Sequence, residues 1–409
     1  MTTSLSLMLT AAALAACGGG TADAGTTSSS VSTGTTSTTT TSTGSTSTGT
    51  TSTGSTSTGT TSTDTTSTAT TSTGTTTSTG TSSGSADAAS VKAAATTVAR
   101  PATSTGTGFY VVGSKLYDAN GSEFRIRGVN REHWDDLSAG LPNSGANTER
   151  IAISFTQSAA TNTALIQNQI IAKKIVPMPG NWAGTCNSDP AVLTSIVDTW
   201  VAQAATWTAF DHYSIINIAN EWGPGNSTVW RDSYITAIAR MRAAGYTGTL
   251  SITSGACGQD SADIIKYAQA VFDSDPQKNI IFDVHVYGYF VLNADAAWKQ
   301  DYATSMTQMA ATKLPIMLGE FGPGRNIGPS PTTLTPQFIV STAEANGWGW
   351  MAWAWDDFNL PSNSCDDNWF GMAVSWANYD GVTSSQLTTF GQTVVTLLKS
   401  MAKTATIFN

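Results

Sequence analysis

Two glutamates stand where short apolar runs end. Residues 214–219 read Ser-Ile-Ile-Asn-Ile-Ala and stop at Asn220-Glu221-Trp222-Gly223, and residues 315–321 form a second run that carries Glu320. A short β-branched run bounded by turn residues reads as a buried strand, and the C-terminal tips of barrel strands are where reacting groups converge. Arg150, His285 and Tyr287 fall on or near the ends of other such runs, and His285 and Tyr287, two positions apart, face the same side of theirs. Two opposed carboxylates suit acid-assisted displacement at an acetal carbon: one carboxyl keeps its proton for the leaving oxygen and the other attacks as the anion. Arg150 and Tyr287 can hold Glu320 as that anion, and its charge raises the proton affinity of Glu221. Trp355 would form an apolar floor under a sugar. This is equipment for cleaving a glycosidic bond. No Cys or His pair has metal-site spacing and no cofactor motif is present, so neither metal nor cofactor is expected.

The elements that must position these groups alternate along the chain. Strands are expected at 124–130, 147–155, 175–178, 214–219, 249–253, 280–287, 315–321 and 349–355, after a small hairpin over 109–117 that precedes the turn Ala119-Asn120-Gly121. Helical periodicity covers 163–174, 191–208, 227–244, 261–272, 294–311, 334–346 and 384–402, with Gly245 as a stop signal. Eight strands, each followed by a helix or long loop, predict a (β/α)8 TIM barrel of class α/β. A doubly wound open sheet is the structural alternative, weakened because no Gly-rich phosphate loop follows the first strand. On the barrel reading the strand tips bring together Asn130, Arg150, Asn220, Glu221, His285, Tyr287, Glu320 and Trp355. His133, Trp182 and Trp222 lie on adjoining loops. Trp134, Trp182, Trp222 and Trp369 are candidate sugar platforms, since aromatic faces serve both packing and stacking. His212 falls on the helix-to-strand side and receives no role.

The series Gly128-Val129-Asn130, Gly145-Ala146-Asn147-Thr148-Glu149-Arg150-Ile151, Asn217-Ile218-Ala219-Asn220-Glu221, Gly258-Gln259-Asp260, His285-Val286-Tyr287, Gly319-Glu320-Phe321-Gly322 and Ala352-Trp353-Ala354-Trp355 resembles glycoside hydrolase family 5, most closely its bacterial endo-β-1,4-mannanases. The resemblance implies a retaining mechanism with Glu221 as acid/base and Glu320 as nucleophile. It also implies that Asn220 bonds the sugar 2-hydroxyl, that Arg150 and Tyr287 hold Glu320, and that His285 and Trp355 line the central subsite. The chain departs from that pattern in two places. Val176-Pro177-Met178-Pro179-Gly180-Asn181-Trp182 lacks the histidine usual after strand three, and Trp222 stands where many relatives have proline. Both changes bear on specificity more than on mechanism. The expected activity is therefore endo-hydrolysis of a β-1,4-linked plant polysaccharide, mannan or glucomannan, with an endo-β-1,4-glucanase as the alternative. A non-catalytic carbohydrate-binding surface lipoprotein is the alternative of another class, and the retained pair of glutamates speaks against it.

Composition divides the 409 residues at about position 105. Residues 18–105 are almost all Ser, Thr, Gly and Ala and cannot bury enough apolar surface to offset the entropy of ordering, so they read as a disordered linker. The segment TSTGSTSTGT at 41–50 recurs at 51–60, and the linker's flexible-coil span is roughly 50 Å. Ahead of it, residues 5–16 are too few to cross a bilayer and fit the apolar part of a signal peptide. Leu14-Ala15-Ala16-Cys17 looks like a bacterial lipobox, so residues 1–17 read as a lipoprotein-type signal ending at a lipidated Cys17. A lipid anchor at Cys17, export and tethering to the membrane or cell surface follow as expectations. Residues 106–409 are the catalytic domain. Nearly all of the net charge of −9 belongs to it, which excludes nucleic acid as partner and favours a neutral polysaccharide. A monomer is expected. Cys186 and Cys257 lie on loops flanking that of Glu221, and a disulfide between them would stiffen the catalytic rim; Cys365 lies far round the ring.

Overall fold

The computed structural model describes residues 97–131, 140–153, 155, 158–287, 302–323, 334–355, 370–374 and 383–409. Cys17, His133, Trp134, Cys365 and Trp369, with the signal segment and most of the linker, lie outside these. Residues 97–105, assigned to the linker by composition, are packed on the domain instead. The Arg100 guanidinium sits 4.3 Å from the Tyr110 ring centre, Val98 N–H donates to Gly121 O, and Ser104 is buried. One arginine and one valine give this stretch the anchors that the Ser/Thr tract lacks.

A two-stranded hairpin, β1 (Tyr110–Val112) and β2 (Lys115–Tyr117), turns at Gly113 and leads into eight parallel strands. These are β3 (Arg127–Arg131), β4 (Thr148–Ala152), β5 (Val176–Gly180), β6 (Ile216–Asn217), β7 (Leu250–Thr253), β8 (Ile280–Val286), β9 (Ile316–Phe321) and β10 (Gly349–Ala352). They pair in sequential order, and β10 closes on β3 with Met351 opposite Gly128. The result is the (β/α)8 barrel that the alternation predicts.

Period-2 alternation separates two cores. Val176, Met178, Ile215, Ile281, Met317 and Met351 pack inside the barrel, where Phe109, Val111, Leu116, Phe124 and Ile126 from the hairpin region join them and plug one end. The intervening residues, among them Phe282, Val284, Leu318 and Trp350, face the helices and form the larger outer core.

The helices begin where the sequence supplies caps. They are α1 (Gly140–Ser144), α2 (Ala159–Leu165), α3 (Pro190–Ala202), α4 (Ala204–Trp207), α5 (Thr228–Ala243), α6 (Ser261–Lys266), α7 (Ala268–Ser274), α8 (Tyr302–Ala311), α9 (Pro336–Asn346) and α10 (Thr389–Met401). Side chains of Asp189, Ser227, Asp260, Thr335 and Thr388 accept from backbone N–H groups in the first turns, and Pro190 and Pro336 occupy first-turn positions where no N–H is needed. The helix expected over 163–174 instead ends at Leu165 and continues as a π turn, Ile166–Ile170, then a 3-10 turn, Ile171–Lys173. The wider π turn keeps Ile166, Ile170 and Ile171 together on the buried side.

Strand β6 is two residues long, shorter than its apolar run suggests, and β5 explains why. Val176 N–H and Gly180 O bond toward β4, whereas Pro177 O accepts from Ile215 on the β6 side. In a parallel strand alternate residues serve opposite neighbours, so Pro177 and Pro179 both face β6 without an N–H to donate. Pairing between the two strands is reduced to Gly180 opposite Asn217.

Candidate active site

The tip of β6 places the first glutamate. Glu221 has φ of 51°, a left-handed conformation uncommon for a residue with a Cβ and characteristic of functional sites. Neighbouring loops hold it there: Asn220 N–H donates to Asn181 O, Cys186 N–H to Glu221 O, and Gly223 N–H to Asn187 O. Cys186 and Cys257 are joined in a disulfide that links the loops after β5 and β7 on either side of Glu221.

The second glutamate reaches the barrel interior through an irregularity. Asp283 pairs with Met317 and Val284 with Leu318, but His285 pairs with Glu320, so Gly319 is an extra residue on β9. Strict alternation from the inward Met317 would send Glu320 outward. The bulge re-phases the strand and turns Glu320 inward beside His285. Only glycine fits at the bulge, because a Cβ on Gly319 would stand 1.8 Å from Asp283 Oδ1.

Around Glu320 the donors are dense. Arg150 Nη1 donates to Oε1 at 2.7 Å and Tyr287 Oη to Oε2 at 2.8 Å. Arg150, fully buried, is itself fixed by Asn130 Oδ1 at 2.8 Å, Asn217 Oδ1 at 3.2 Å and a short bond to Asn220 Oδ1. Asn130 in turn donates to Gly319 O at 2.8 Å and Ala352 O at 3.1 Å, so it ties β3 to the bulge and to β10. The Arg150 guanidinium also lies 4.3 Å from the Trp182 ring centre, in cation–π contact. These bonds form a rigid, charge-assisted cradle for a negative charge on Glu320.

His285 joins the two glutamates. Its Nδ1 lies 2.8 Å from Glu221 Oε1 and 3.3 Å from Glu320 Oε2. One carboxylate oxygen each from Glu221 and Glu320 and one ring nitrogen of His285 lie within 4.8 Å of one another, close enough to ligate a cation. Arg150 and His285 already supply positive charge at that point, so a metal ion would enter against them. Burial raises the Glu221 carboxyl above its usual range, and the Glu320 charge adds to this while His285 opposes it. For His285 burial alone would favour the neutral ring, but Glu320, Asp283 and Glu221 outweigh it and raise its pKa to about 10. Burial, then Glu320, push the Tyr287 hydroxyl well above its usual value, so it stays a donor. Glu221 Oε2 lies 3.5 Å from Cys186 Sγ. Bonded to Cys257, that sulfur has no proton to give, so only the carboxyl, when protonated, can donate in this contact.

The structure thus assembles Asn130, Arg150, Asn220, Glu221, His285, Tyr287, Glu320 and Trp182 at one mouth of the barrel. Two expected platforms are not there. Trp222 is fully buried, its Nε1 donating to Asp189 O at 3.0 Å and its ring edge-on to Tyr234, so it is core and cannot face a sugar. Trp355 is also fully buried, and its backbone N–H donates to Asn130 O at 3.0 Å. The aromatic surface left partly open at the end of β10 is that of Trp353. Trp350 faces the helices and Met351 the interior, so alternation places Trp353 on the interior side at the mouth. The same parity, carried one step beyond the strand, was the sequence signal for it.

Residues 176–359 match the family model for cellulase (glycosyl hydrolase family 5). A mannan endo-1,4-beta-mannosidase of Salipaludibacillus agaradhaerens is 31% identical over 315 residues, covering 74% of this chain and 96% of that protein. The chain belongs to glycoside hydrolase family 5. A second family member, the mannan endo-1,4-beta-mannosidase of Cellvibrio japonicus, is likewise 31% identical over 315 residues, covering 71% of each chain. Among solved structures, a beta-mannanase from Thermomonospora fusca superposes with a TM-score of 0.62 at 26% identity, over 74% of this chain and all of that one.

Proposed function

We propose that this protein is a retaining endo-β-1,4-mannanase with Glu221 as acid/base and Glu320 as nucleophile. The observation that carries the reading is the closeness of the pair: one His285 nitrogen reaches both carboxylates, at 2.8 Å to Glu221 and 3.3 Å to Glu320, and one oxygen of each lies within 4.8 Å of the other. Inverting enzymes separate their carboxyl groups by roughly 6.5–9.5 Å to admit a water, whereas retaining ones keep them about 5–5.5 Å apart. Mannan as substrate rests on the relatives that share 31% identity, both named mannan endo-1,4-beta-mannosidases. The family description, cellulase, supports a β-1,4-glucan as the second reading.

In the first step Glu221 Oε2 gives its proton to the glycosidic oxygen as the bond to the anomeric carbon breaks. A Glu320 oxygen forms the new bond to that carbon, losing its negative charge as Glu221 gains one. In the second step Glu221 takes a proton from water, whose oxygen displaces Glu320. Arg150 and Tyr287 restrain Glu320 for in-line attack, and one N–H of the Asn220 amide, whose other goes to Thr185 Oγ1 at 2.9 Å, serves the sugar 2-hydroxyl. Trp353 and Trp182 supply apolar faces for the pyranose rings.

Reducing-sugar release from mannan, glucomannan, carboxymethyl cellulose and xylan, run side by side, tests the substrate. Mannan or glucomannan should be cleaved fastest, and a preference for carboxymethyl cellulose would move the assignment to endoglucanase. Glu320→Ala should abolish hydrolysis, while Glu221→Ala should retain turnover only of substrates with good leaving groups. Normal polysaccharide activity in either variant would overturn the site.

The sequence supports a further part of the proposal: the protein is exported, lipidated on Cys17 and tethered by its Ser/Thr tract, acting as a monomer on a neutral polysaccharide outside the cell. Cys17→Ser should move it from the membrane fraction to the soluble fraction. Equal partitioning of the two forms would end that reading.

A further inference from the structure

Strand β8 buries a third carboxylate that the mechanism above does not use. Ile281, Asp283 and His285 share the interior side of the strand, so Asp283 stands one layer beneath His285, at the centre of the barrel. It is fully buried, and neither of its oxygens has a hydrogen-bond partner among the described residues. An unpaired carboxylate in such a place is strongly disfavoured unless a cation balances it. The cation at hand is His285, whose Nε2 lies 3.5 Å from Asp283 Oδ2, an ion pair and not a short hydrogen bond. Gly319 makes room for it, since any Cβ there would occupy the position of Asp283 Oδ1.

The groups facing His285 can be named element by element. Asp283 lies below it on its own strand, Glu221 approaches from the tip of β6 and Glu320 from β9. Arg150 of β4 reaches the group through Glu320, and the loop after β7 brings the backbone of Gly258 against the ring, where a Cβ would stand 2.6 Å from Nδ1. Tyr234, from α5, feels the Asp283 charge and is raised by burial, so it remains neutral.

We propose that Asp283 is a positioning residue for the acid/base: paired with Nε2, it keeps both ring nitrogens of His285 as donors, with Nδ1–H aimed between the two catalytic glutamates. The inference rests on the retaining reading above. Before the first step the negative charge is on Glu320, 3.3 Å from Nδ1; after it, the charge is on Glu221, 2.8 Å away. A cation between them follows the charge as one proton leaves Glu221 and one bond forms to Glu320. A neutral ring could donate from one nitrogen only. The leaving-group proton would then come from an acid whose conjugate base has no cation beside it.

Asp283→Asn tests this, because it keeps the shape and removes the charge. In the wild type, the ring nitrogens of His285, followed by 15N NMR against pH, should remain protonated until about pH 10. Titration near the ordinary histidine value of about 6.5 in the wild type would overturn the proposal without any variant. In Asp283→Asn the ring should lose its proton at lower pH. The rate on mannan should fall about tenfold, a part of the roughly 10²–10⁴-fold that general acid catalysis supplies, while an aryl mannoside with a good leaving group is spared. Its melting temperature should fall, since removing one partner of a buried ion pair leaves the other less compensated. An unchanged His285 titration, or equal losses on both substrates, would overturn the role. A wild type inactive on mannan would instead count against the proposed function.

Discussion

At the scale of single residues, the aromatic side chains divide by how far the fold covers them. Trp355 and Trp222 are fully buried, whereas Trp353 keeps an open face on the interior side of the mouth. Trp353→Ala should therefore raise KM or lower kcat on mannan while the melting temperature changes little. Trp355→Ala should cost roughly 3–5 kcal/mol of stability, as large buried aromatics do. Equal stability losses in the two variants would contradict the division; thermal unfolding and mannan kinetics measured together would show it. Residue identity alone could not separate these tryptophans, because all are equally hydrophobic and two stand two positions apart on the same strand end. The polar site was legible for the opposite reason. Glu221, Glu320, Arg150, His285 and Tyr287 are groups whose burial demands partners, and the strand tips are where partners converge. Asp283 was passed over because it lies mid-strand, where a carboxylate in an apolar run has no turn or motif to mark it.

At the scale of elements, order and type were legible from periodicity, and irregularities were not. The eight strands and most helices begin and end within a few residues of their hydrophobic patterns, since burial on one or two faces writes itself into the sequence. A bulge, in contrast, is a relation between two strands. The pairing of His285 with Glu320 after Val284 with Leu318 cannot be read from β9 alone, although it turns the nucleophile inward. Likewise the shortness of β6 comes from prolines in β5. Gly319→Ala follows from this geometry as an element-level prediction. Its methyl would collide with Asp283 Oδ1, and relief requires either moving the carboxylate or straightening the bulge. Either shift displaces Glu320 from Arg150 or His285 from Glu221, so kcat should drop at least about tenfold, in line with the sensitivity of aligned groups to displacements of about 1 Å. A variant with wild-type kcat would show that the bulge is not what aims Glu320.

At the scale of the whole molecule, three buried or half-buried ionic groups set how stability varies with pH. Glu344, on α9, bonds Arg125 at 2.5 Å, Arg127 at 2.6 and 2.8 Å and Trp350 Nε1 at 2.9 Å, clamping the helix to the start of the barrel. Burial opposes its charge, but these donors prevail and lower its pKa to about 2. A lowered carboxyl contributes stability that is present above its unfolded value, about 4.3, and lost as pH falls through about 2. His285 has the opposite sign. Raised to about 10, it contributes stability present below about 6.5 and lost as pH rises toward 10. Asp263, pushed up to about 8 by burial and by Asp260 beside it, takes stability away progressively as pH rises from its unfolded value of about 3.9 to about 8. The three together put the maximum of stability at about pH 4, where the gain from Glu344 ends and the loss from Asp263 begins. Melting temperatures from pH 2 to 10 at fixed ionic strength should trace an asymmetric dome with that maximum. Glu344→Gln should flatten the acid arm and leave the alkaline arm alone, while Asp283→Asn should shift the alkaline arm to lower pH by releasing His285. A dome centred above neutrality, or an acid arm untouched by Glu344→Gln, would mean that other groups govern the fold's response to protons.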